Sequence, residues 1–427
     1  MRKLSLKEQI FVGITLFSMF FGAGNLIFPP LLGAQAGANT IWAFTGFAVS
    51  AVGFPILGVA AAARSGGLRT LAERVGKKFS FIFTLVVYLS IGPCLAIPRT
   101  ASTSFEMAVT PFVSQAGTVV IMRVIYSVIF FGAALILALN PSKLVDKLGK
   151  KLAPILLVLI AVIFIGCLLS GIDGTGEINA HYAHMPMAVG FIDGYQTMDA
   201  IAALVYGIVL AMNIRSKGIE DTDDVVKTTI KAGYIAAVIF VCVYGALTFI
   251  GRAGAADAEN GAQVLTSTAF SLFGTAGIAI LAVIFVIACL NTCISLICSC
   301  SEYFNEIVPK ISYKGWVIIL AIFSTVVSNA GLNAILKFSV PVLNCIYPIV
   351  IVLILLAFLP KSTLSRPYIY PLTVLFAGIV GAVHTFNVPV LSKLFSVMPF
   401  YDKGLGWIVP AFIGLALGYV LKKKENA

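Results

Sequence analysis

Residues 16–33 read LFSMFFGAGNLIFPPLLG, an apolar stretch with a polar interruption at its centre. The residues on both sides suit a membrane, yet Gly22, Gly24 and Asn25 stand where an ordinary spanning helix carries leucine. Lipid offers no hydrogen bonds, so a broken helix survives at that depth only against protein or a water-filled cavity. We predict that one helix ends near Phe21, that the chain runs extended through Asn25, and that a second helix begins near Pro29, where the missing N–H of proline is tolerated.

The composition indicates a polytopic membrane protein. Of the 427 residues, 59% are hydrophobic and 11% are charged, whereas about a quarter of the residues in a soluble domain are charged. The formal net charge is +11, but the Lys and Arg residues lie in short clusters at the ends of apolar runs. This distribution favours membrane orientation over nucleic-acid binding, so membrane lipid is an expected partner and nucleic acid is not.

Twelve segments reach the length of about 20 mostly apolar residues that a spanning helix needs. They are approximately 8–35, 40–63, 79–104, 118–139, 152–171, 187–214, 230–251, 276–301, 315–331, 335–359, 368–388 and 405–421. With the N-terminus in the cytoplasm, 23 of the 29 Lys and Arg residues fall in cytoplasmic segments and only Arg252, Lys393 and Lys403 fall in outer loops. This positive-inside pattern predicts a single membrane domain over 1–427 with both termini cytoplasmic.

The sixth predicted span carries a second interruption, GYQTMD at residues 194–199. Spans 1 and 6 each open a group of five, 8–171 and 187–359, and because five is odd the second group crosses the membrane inverted. Paired interruptions of this kind point to a secondary transporter built on inverted repeats, with its binding site at the midplane. Spans 11 and 12, residues 368–421, lie outside the repeat.

The two breaks offer backbone groups of both polarities. Helix N-termini that point inward suit a carboxylate, while unwound carbonyls and helix C-termini suit a cation. A zwitterion taken up together with a cation fits both, which points to an amino acid. The sequence has no glycine-rich phosphate loop followed by Lys-Ser or Lys-Thr, so neither ATP nor any other cofactor is expected beside a coupling ion, Na⁺ or H⁺.

Three motifs carry a family resemblance: GAGNLIFPP at 22–30, GPCLAIPRTA at 92–101 and GYQTMD at 194–199. Together with length, span count and motif order over essentially the whole chain, they resemble the bacterial branched-chain amino acid:cation symporters. The resemblance implies uptake of leucine, isoleucine and valine across the bacterial cytoplasmic membrane, coupled to sodium or, in some members, protons. More remotely, the chain resembles the leucine and neurotransmitter sodium symporters. The expected fold is therefore all-α, with 12 transmembrane helices in a five-plus-five inverted repeat, broken helices 1 and 6, and two extra C-terminal helices.

The backbone at the two breaks is the predicted substrate site, because glycine permits close backbone approach. The residues expected to receive the amino and carboxylate groups are Gly22, Ala23, Gly24, Asn25, Tyr195, Gln196, Thr197 and Asp199. The alternative is that Gly22 and Gly24 only allow tight helix packing, which leaves Asn25 and the adjacent prolines unexplained. Discrimination among the three substrates is expected to be weak, since one methylene is worth only about 1–3 kcal/mol.

Span 8 offers a polar stripe for the cation, and hard cations prefer oxygen ligands. The remote resemblance implies a sodium ion held by carbonyls near Ser18 and Phe21, by the Ala288 carbonyl, and by the side chains of Asn291 and Thr292. Asn291 stands where the remote pattern has a hydroxyl. For Ser295 and Ser299 of the same stripe, the alternative is a hydroxyl bonded to the carbonyl four residues earlier.

Charged side chains inside spans are costly, and a functional role is the default hypothesis. Arg99 and Glu106 lie seven residues apart on span 3 and share a helix face, which favours an internal ion pair or a gate. Snorkelling toward the outer interface is the alternative. Asp199, beside the second break, is expected to orient unwound backbone, bind the cation or take a proton.

Three other functions stay open at this point. One is a proton-coupled carrier of the same or another small solute. Another is a membrane-embedded enzyme using Asp199 with His181 or His184, although no metal-binding helix pair or nucleophile motif supports it. The third is a channel, which normally repeats a ring of pore residues. A closed site between two breaks fits a secondary transporter best, and no enzyme activity is expected.

Overall fold

The computed structural model describes residues 4–113, 115–139, 141–171, 176–254, 257–360, 362–363 and 366–421, with only the backbone of 141–153. The two chain ends, which the sequence assigns to the cytoplasm, lie outside these ranges. The described residues form α1 Leu6–Phe20, α2 Ala23–Ala36, α3 Thr40–Ala48, α4 Phe54–Ser65, α5 Leu68–Glu73, α6 Lys77–Leu89, α7 Ala96–Ala108, α8 Ala116–Ala138, α9 Pro141–Leu169, α10 Pro186–Asp193, α11 Asp199–Ser216, α12 Thr222–Gly251, α13 Gly261–Phe273, α14 Thr275–Ile307, α15 Tyr313–Ser328, α16 Leu332–Leu356, α17 Ile369–Phe386, α18 Pro389–Phe395 and α19 Ile408–Val420.

The fold is all-helical in the described ranges and suited to a membrane. Eight helices there are long and apolar enough to cross a bilayer, counting the stretch Ala23–Ser65 as one. Three shorter apolar helices accompany them, at Pro154–Leu169, Tyr313–Ser328 and Ile408–Val420. Each of the twelve predicted segments coincides with helix, span 1 as α1 and α2, span 2 as α3 and α4, span 3 as α6 and α7, and span 6 as α10 and α11.

The first break is shorter than the sequence analysis predicts. Helix α1 ends at Phe20, only Phe21 and Gly22 are extended, and α2 begins at Ala23. The helix restarts early because the side chain of Asn25 accepts a hydrogen bond of 2.9 Å from the Gly22 N–H, which caps the new helix. The predicted extended run through Asn25 and the predicted start near Pro29 are therefore wrong, and that proline lies inside α2.

The second break lies where the sequence predicts it. Helix α10 ends at Asp193, a 3₁₀ turn covers Gly194–Thr197, and α11 begins at Asp199. Between them, Met198 takes a left-handed conformation with φ of 67°. This conformation is unfavourable for a residue with a Cβ, so tertiary contacts hold the turn open.

Spans 2 and 3 carry further interruptions that the sequence analysis missed. A π-helical turn occupies Val49–Gly53 between α3 and α4, and another occupies Ser90–Cys94 between α6 and α7. In the second turn Gly92 leaves helical geometry, with φ of −94° and ψ of −129°. Such turns recur at functional sites, and this one places the start of α7 beside the two breaks.

Helices α1–α4 and α10–α12 form one unit, called here the core bundle. In it α3 packs on α10, α4 on α11, and both α1 and α2 on α12. The backbones touch at glycines, since a Cβ built on Gly46 would lie 1.9 Å from the Met187 carbonyl oxygen and one on Gly33 would lie 1.9 Å from that of Thr248. Small residues permit this approach in membrane proteins, and larger ones would separate the helices.

The remaining helices surround the core bundle in a paired arrangement. Helix α7 packs on α14, and α8 packs on α15. Helix α9 contacts α12 and α14, while α16 contacts α4 and α7. These contacts are symmetric when each of spans 1–5 is exchanged with the corresponding span of 6–10. The contacts of α7 with α14 and of α8 with α15 then stay the same, and the two contacts of α9 become the two contacts of α16. Helix α17 packs on α16 and α19 at the side of this arrangement.

Candidate functional site

The two breaks meet at one buried cavity. From the predicted substrate residues, Gly22, Ala23, Gly24, Asn25, Thr197 and Asp199 line it. Phe20, Tyr206 and Leu296 add apolar wall. The cavity volume is about 30 Å³, which suits water-sized groups.

A buried hydrogen-bond cluster joins the breaks. Asn25 Nδ2 donates to Asp199 Oδ2 and to the Tyr244 hydroxyl, each over 2.5 Å, and that hydroxyl lies 3.3 Å from the same Oδ2. All three side chains are buried. The cluster connects the first turn of α2, the first residue of α11 and the second half of α12. Asp199 is thus linked through Asn25 to the backbone N–H of Gly22, and the roles predicted for it stay predictions.

Two of the predicted substrate residues lie outside the cavity wall. The ring of Tyr195 is 1% exposed and stacks on Tyr347 with 4.2 Å between ring centroids. Gln196 is buried too, and its carbonyl accepts a hydrogen bond from Arg99. Neither lines the cavity, because with three residues per turn a 3₁₀ helix directs its side chains about 120° apart.

Arg99 and Glu106 have separate partners. Arg99 Nη1 donates to the Gln196 carbonyl over 2.7 Å, and the guanidinium lines the cavity. Glu106 Oε1 lies 3.9 Å from Arg123 Nη2. Among the described side chains the two do not form the predicted ion pair with each other, because seven residues along a helix are about 10 Å apart along its axis. The alternative, a gate that involves both residues, stays a prediction. Snorkelling is also excluded for Arg99, which is only 3% exposed.

The predicted cation residues come together where α14 passes the first break. Asn291 Nδ2 donates to the Ser18 carbonyl and Thr292 Oγ1 donates to the Phe21 carbonyl, each over 3.2 Å. Ala288 lies one turn away on the same helix and is buried. The approach needs a glycine, since a Cβ on Gly22 would lie 2.6 Å from Thr292 Oγ1.

The two serines of the same stripe behave differently. Ser295 donates its hydroxyl to the Asn291 carbonyl over 3.0 Å, the structural alternative considered for it. Ser299 is half-buried one turn farther along α14. Neither belongs to the group of oxygens around Phe21.

A second polar cluster lies in the loop before α10. The ring Nε2 of His181 is 3.1 Å from Asp193 Oδ2, and the Tyr182 hydroxyl donates to the same oxygen over 2.6 Å. The hydrogen bond to the Asp193 carboxylate raises the pKa of His181 above its ordinary value, against the opposing effects of partial burial and of the Lys403 charge. His181 is therefore engaged at the end of α10 and not with Asp199.

Sequence reasoning missed Tyr244 and the position of Arg99 in the cavity. Tyr244 lies within an uninterrupted apolar run of span 7, where a tyrosine carries no periodic or charge signal. For Arg99 a signal was present in the GPCLAIPRTA motif, whose Gly92 and Pro93 mark the π-helical turn before α7.

The sequence has close relatives among amino-acid carriers. The profile of the family described as branched-chain amino acid transport protein matches residues 5–425. The branched-chain amino acid permeases BraB and BrnQ of Bacillus subtilis are 38% and 39% identical, over 98% of this chain and 96% and 98% of theirs. The branched-chain amino acid transport system 2 carrier protein of Pseudomonas aeruginosa is 39% identical, over 97% of this chain and 95% of its own.

The fold is similar to that of solved transporters. Mhp1, a nucleobase-cation-symport-1 family transporter in a closed conformation with bromovinylhydantoin bound, gives a TM-score of 0.62 at 16% identity, covering 96% of this chain and 91% of that one. MhsT in complex with L-phenylalanine gives 0.58 at 15% identity, covering 96% and 98%. These similarities establish the fold of the leucine-transporter type.

Proposed function

Because this chain belongs to the branched-chain amino acid transport protein family, we propose that it imports leucine, isoleucine and valine by symport with sodium. Members of the family are named permeases and carriers, so the protein is a transporter, and the membrane-embedded enzyme is excluded. The finer proposal depends chiefly on one observation: the two broken helices meet at a single cavity, joined by the hydrogen bond between Asn25 and Asp199.

The substrate site is proposed at the two helix starts. The free N–H groups of Ala23 and Gly24 begin α2 and suit the carboxylate. Asp199, whose carboxylate lines the cavity, suits the ammonium group. Phe20 and Tyr206, whose rings lie 5.7 Å apart, form the side of the cavity that an aliphatic side chain would contact.

The sodium site is proposed between α14 and the first break. Four oxygen-bearing groups supply it: the carbonyls of Ser18 and Phe21 and the side chains of Asn291 and Thr292, with the Ala288 carbonyl as a fifth. Two hydrogen bonds, each of 3.2 Å, already join these groups in pairs. A sodium ion would replace those bonds with oxygen ligands, once Asn291 turns its amide oxygen toward the ion.

The membrane architecture is proposed as twelve spans with spans 1–5, residues 8–171, and spans 6–10, residues 187–359, related as inverted repeats. The exchange symmetry of the helix contacts supports this relationship. Residues 368–421 form spans 11 and 12. The distribution of Lys and Arg supports a bacterial cytoplasmic-membrane location with both chain ends in the cytoplasm.

Proton coupling is the second candidate, and Asp199 is the observation that favours it. A carboxylate buried in the cavity and hydrogen-bonded to both Asn25 and Tyr244 is suited to carry a proton. Asp199 would then bind the substrate and carry the coupling proton, and no sodium site at α14 would be needed.

Uptake of radiolabelled leucine into proteoliposomes separates the candidates. A sodium gradient, a lithium gradient and a pH gradient are imposed in turn on the purified full chain. We expect uptake with sodium at constant pH, competed by isoleucine and valine. Uptake driven only by the pH gradient would select proton coupling, and the absence of leucine uptake under every gradient would contradict the proposed function.

A further inference from the structure

We propose that Arg99 binds the carboxylate of the transported amino acid, so that a fixed protein charge holds the substrate's anionic end. The inference rests on the proposed function, because it concerns an amino acid in the cavity between the two breaks. It adds a substrate-binding residue from span 3 to a site otherwise built from spans 1, 6 and 8.

The guanidinium is buried and incompletely bonded. Arg99 is 3% exposed and lines the cavity. Nη1 donates to the Gln196 carbonyl over 2.7 Å, and Nη2 lies 3.5 Å from the Thr197 carbonyl. Within the described part of the chain, Nε is buried without a hydrogen-bond partner. A guanidinium has five donors, so several remain for a ligand.

Arg99 forms no direct ion pair with a carboxylate within the described ranges, and its guanidinium lies 5.8 Å from the centre of the Phe28 ring. Asp199, the acidic residue of the same cavity, is already hydrogen-bonded to Asn25 and Tyr244. A buried unpaired charge is costly, and an anion entering the cavity would remove that cost.

A second positive feature lies directly beside the guanidinium. A Cβ built on Gly24 would lie 2.8 Å from Arg99 Nη2, so the guanidinium touches the first turn of α2. That helix has 14 residues, and its N-terminus carries free N–H groups and a partial positive charge. Two adjacent cationic features that face the same cavity define an anion site.

The chemistry of the Arg99 guanidinium and the α2 N-terminus favours a carboxylate. The planar guanidinium presents parallel N–H groups that match both oxygens of a carboxylate. With Arg99 and Asp199 in the same cavity, the charges of the site and of a zwitterion cancel. Because the zwitterion itself has no net charge, the net charge moved per transport cycle is that of the coupling ion alone.

Competition by substrate analogues tests the assignment. The full-length wild-type protein in proteoliposomes takes up radiolabelled leucine at saturating sodium, while unlabelled leucine or leucinamide is added. Leucinamide keeps the amine and side chain but replaces the carboxylate with a neutral amide. We expect it to compete about 10- to 100-fold less well, the loss typical of one charged hydrogen-bonding group.

The variant Arg99→Gln should remove this preference. Unlabelled leucine should compete less well by about the same 10- to 100-fold factor, while competition by leucinamide should be little changed. Arg99→Lys should recover part of the preference, because an ammonium supplies charge without the planar fork. Arg123→Gln, which removes a half-buried arginine paired with Glu106 outside the cavity, should keep the wild-type preference.

The outcomes separate a binding role from a bracing role. If Arg99 only stabilised the 3₁₀ turn of span 6, Arg99→Gln would weaken the binding of leucine and of leucinamide equally, and the preference for leucine would not change. That result would overturn the proposal. Equal competition by leucine and leucinamide on wild-type protein would also overturn it, without any variant. Failure of the wild-type protein to transport leucine at all would instead count against the proposed function.

Discussion

Asn25 donates a hydrogen bond from Nδ2 to Oδ2 of Asp199 over 2.5 Å, and this bond joins two helix starts that lie 174 residues apart in the chain. Asn25 also caps its own helix through the Gly22 N–H, so one side chain fixes both the restart of α2 and its position against α11. Removing either partner leaves a buried polar group unsatisfied, which costs about 1–3 kcal/mol.

We expect Asn25→Leu and Asp199→Asn to abolish leucine uptake while leaving membrane insertion intact. The leucine variant loses the cap and the contact between the breaks, and the asparagine variant removes the negative charge from the cavity. Initial uptake rates in proteoliposomes, normalised to the amount of protein inserted, measure the effect. Asp223→Asn, at an exposed position near the start of α12, is the matched control and should transport at the wild-type rate. Wild-type rates in both test variants would refute the site.

Tyr244→Phe should weaken transport without abolishing it. The ring stays packed against Phe240 and Phe47, while the hydroxyl that bonds Asn25 and Asp199 is lost. A neutral hydrogen bond is worth about 1 kcal/mol, so we expect about a fivefold lower kcat/KM for leucine. Leucine titrations of uptake measure it, and a loss as complete as that of Asp199→Asn would show that the hydroxyl has a further role.

Thr292→Ala should reduce the apparent affinity for sodium. The hydroxyl that reaches the Phe21 carbonyl is lost, so a proposed oxygen ligand disappears from the sodium site. We expect the sodium concentration for half-maximal uptake to rise about tenfold, equivalent to about 1.4 kcal/mol. Thr292→Ser should restore it, and Ser295→Ala, one turn along α14, should leave it unchanged. An unaltered sodium titration in Thr292→Ala would place the ion elsewhere.

Gly22→Ala should impair sodium dependence in the same way as loss of the threonine hydroxyl. The added methyl would lie 2.6 Å from Thr292 Oγ1, which is shorter than a van der Waals contact, and would push α14 away from the break. Gly132→Ala is the control, because a Cβ there meets no described atom within 4 Å. Sodium titrations of leucine uptake compare the two variants. Similar curves for both would mean that the break tolerates the displacement.

The loop before α10 should loosen as the pH rises. The Asp193 carboxylate raises the pKa of His181, so the protonated form stabilises the contact. This stabilisation is full below the ordinary histidine pKa and is lost as the pH rises through the raised value. NMR titration of the histidine ring should show the upward shift, and His181→Asn should abolish the pH dependence of protease resistance in 176–185. His184→Asn, also exposed, serves as the control.

The sequence places the two breaks correctly because an unbroken spanning helix rarely carries several glycines and polar residues in the middle of its apolar run. It misplaces the restart of α2 because the capping bond from Gly22 to the Asn25 side chain outweighs the preference of proline for a helix start. Two proline residues inside α2 are tolerated because neighbouring helices pack around it.

Contacts between side chains on different spans are harder to predict, because the spacing of residues along one span does not reveal them. Helical periodicity puts Arg99 and Glu106 on one face, but their partners come from the turn of span 6 and from α8. Tyr244 gives no signal at all in an apolar run. The proximity of Thr292 to Phe21 followed from family resemblance, since no local pattern links residues 271 positions apart.

At Gly33 and Gly46 the helices of the core bundle meet backbone to backbone, with no side chain between them at these two points. Thr292, Asn291 and Arg99 all contact the core bundle from helices outside it. The transported substrate and the coupling ion are therefore expected to bind at the boundary between the core bundle and the surrounding helices. We expect the core bundle and the surrounding helices to change their relative position as this boundary fills and empties.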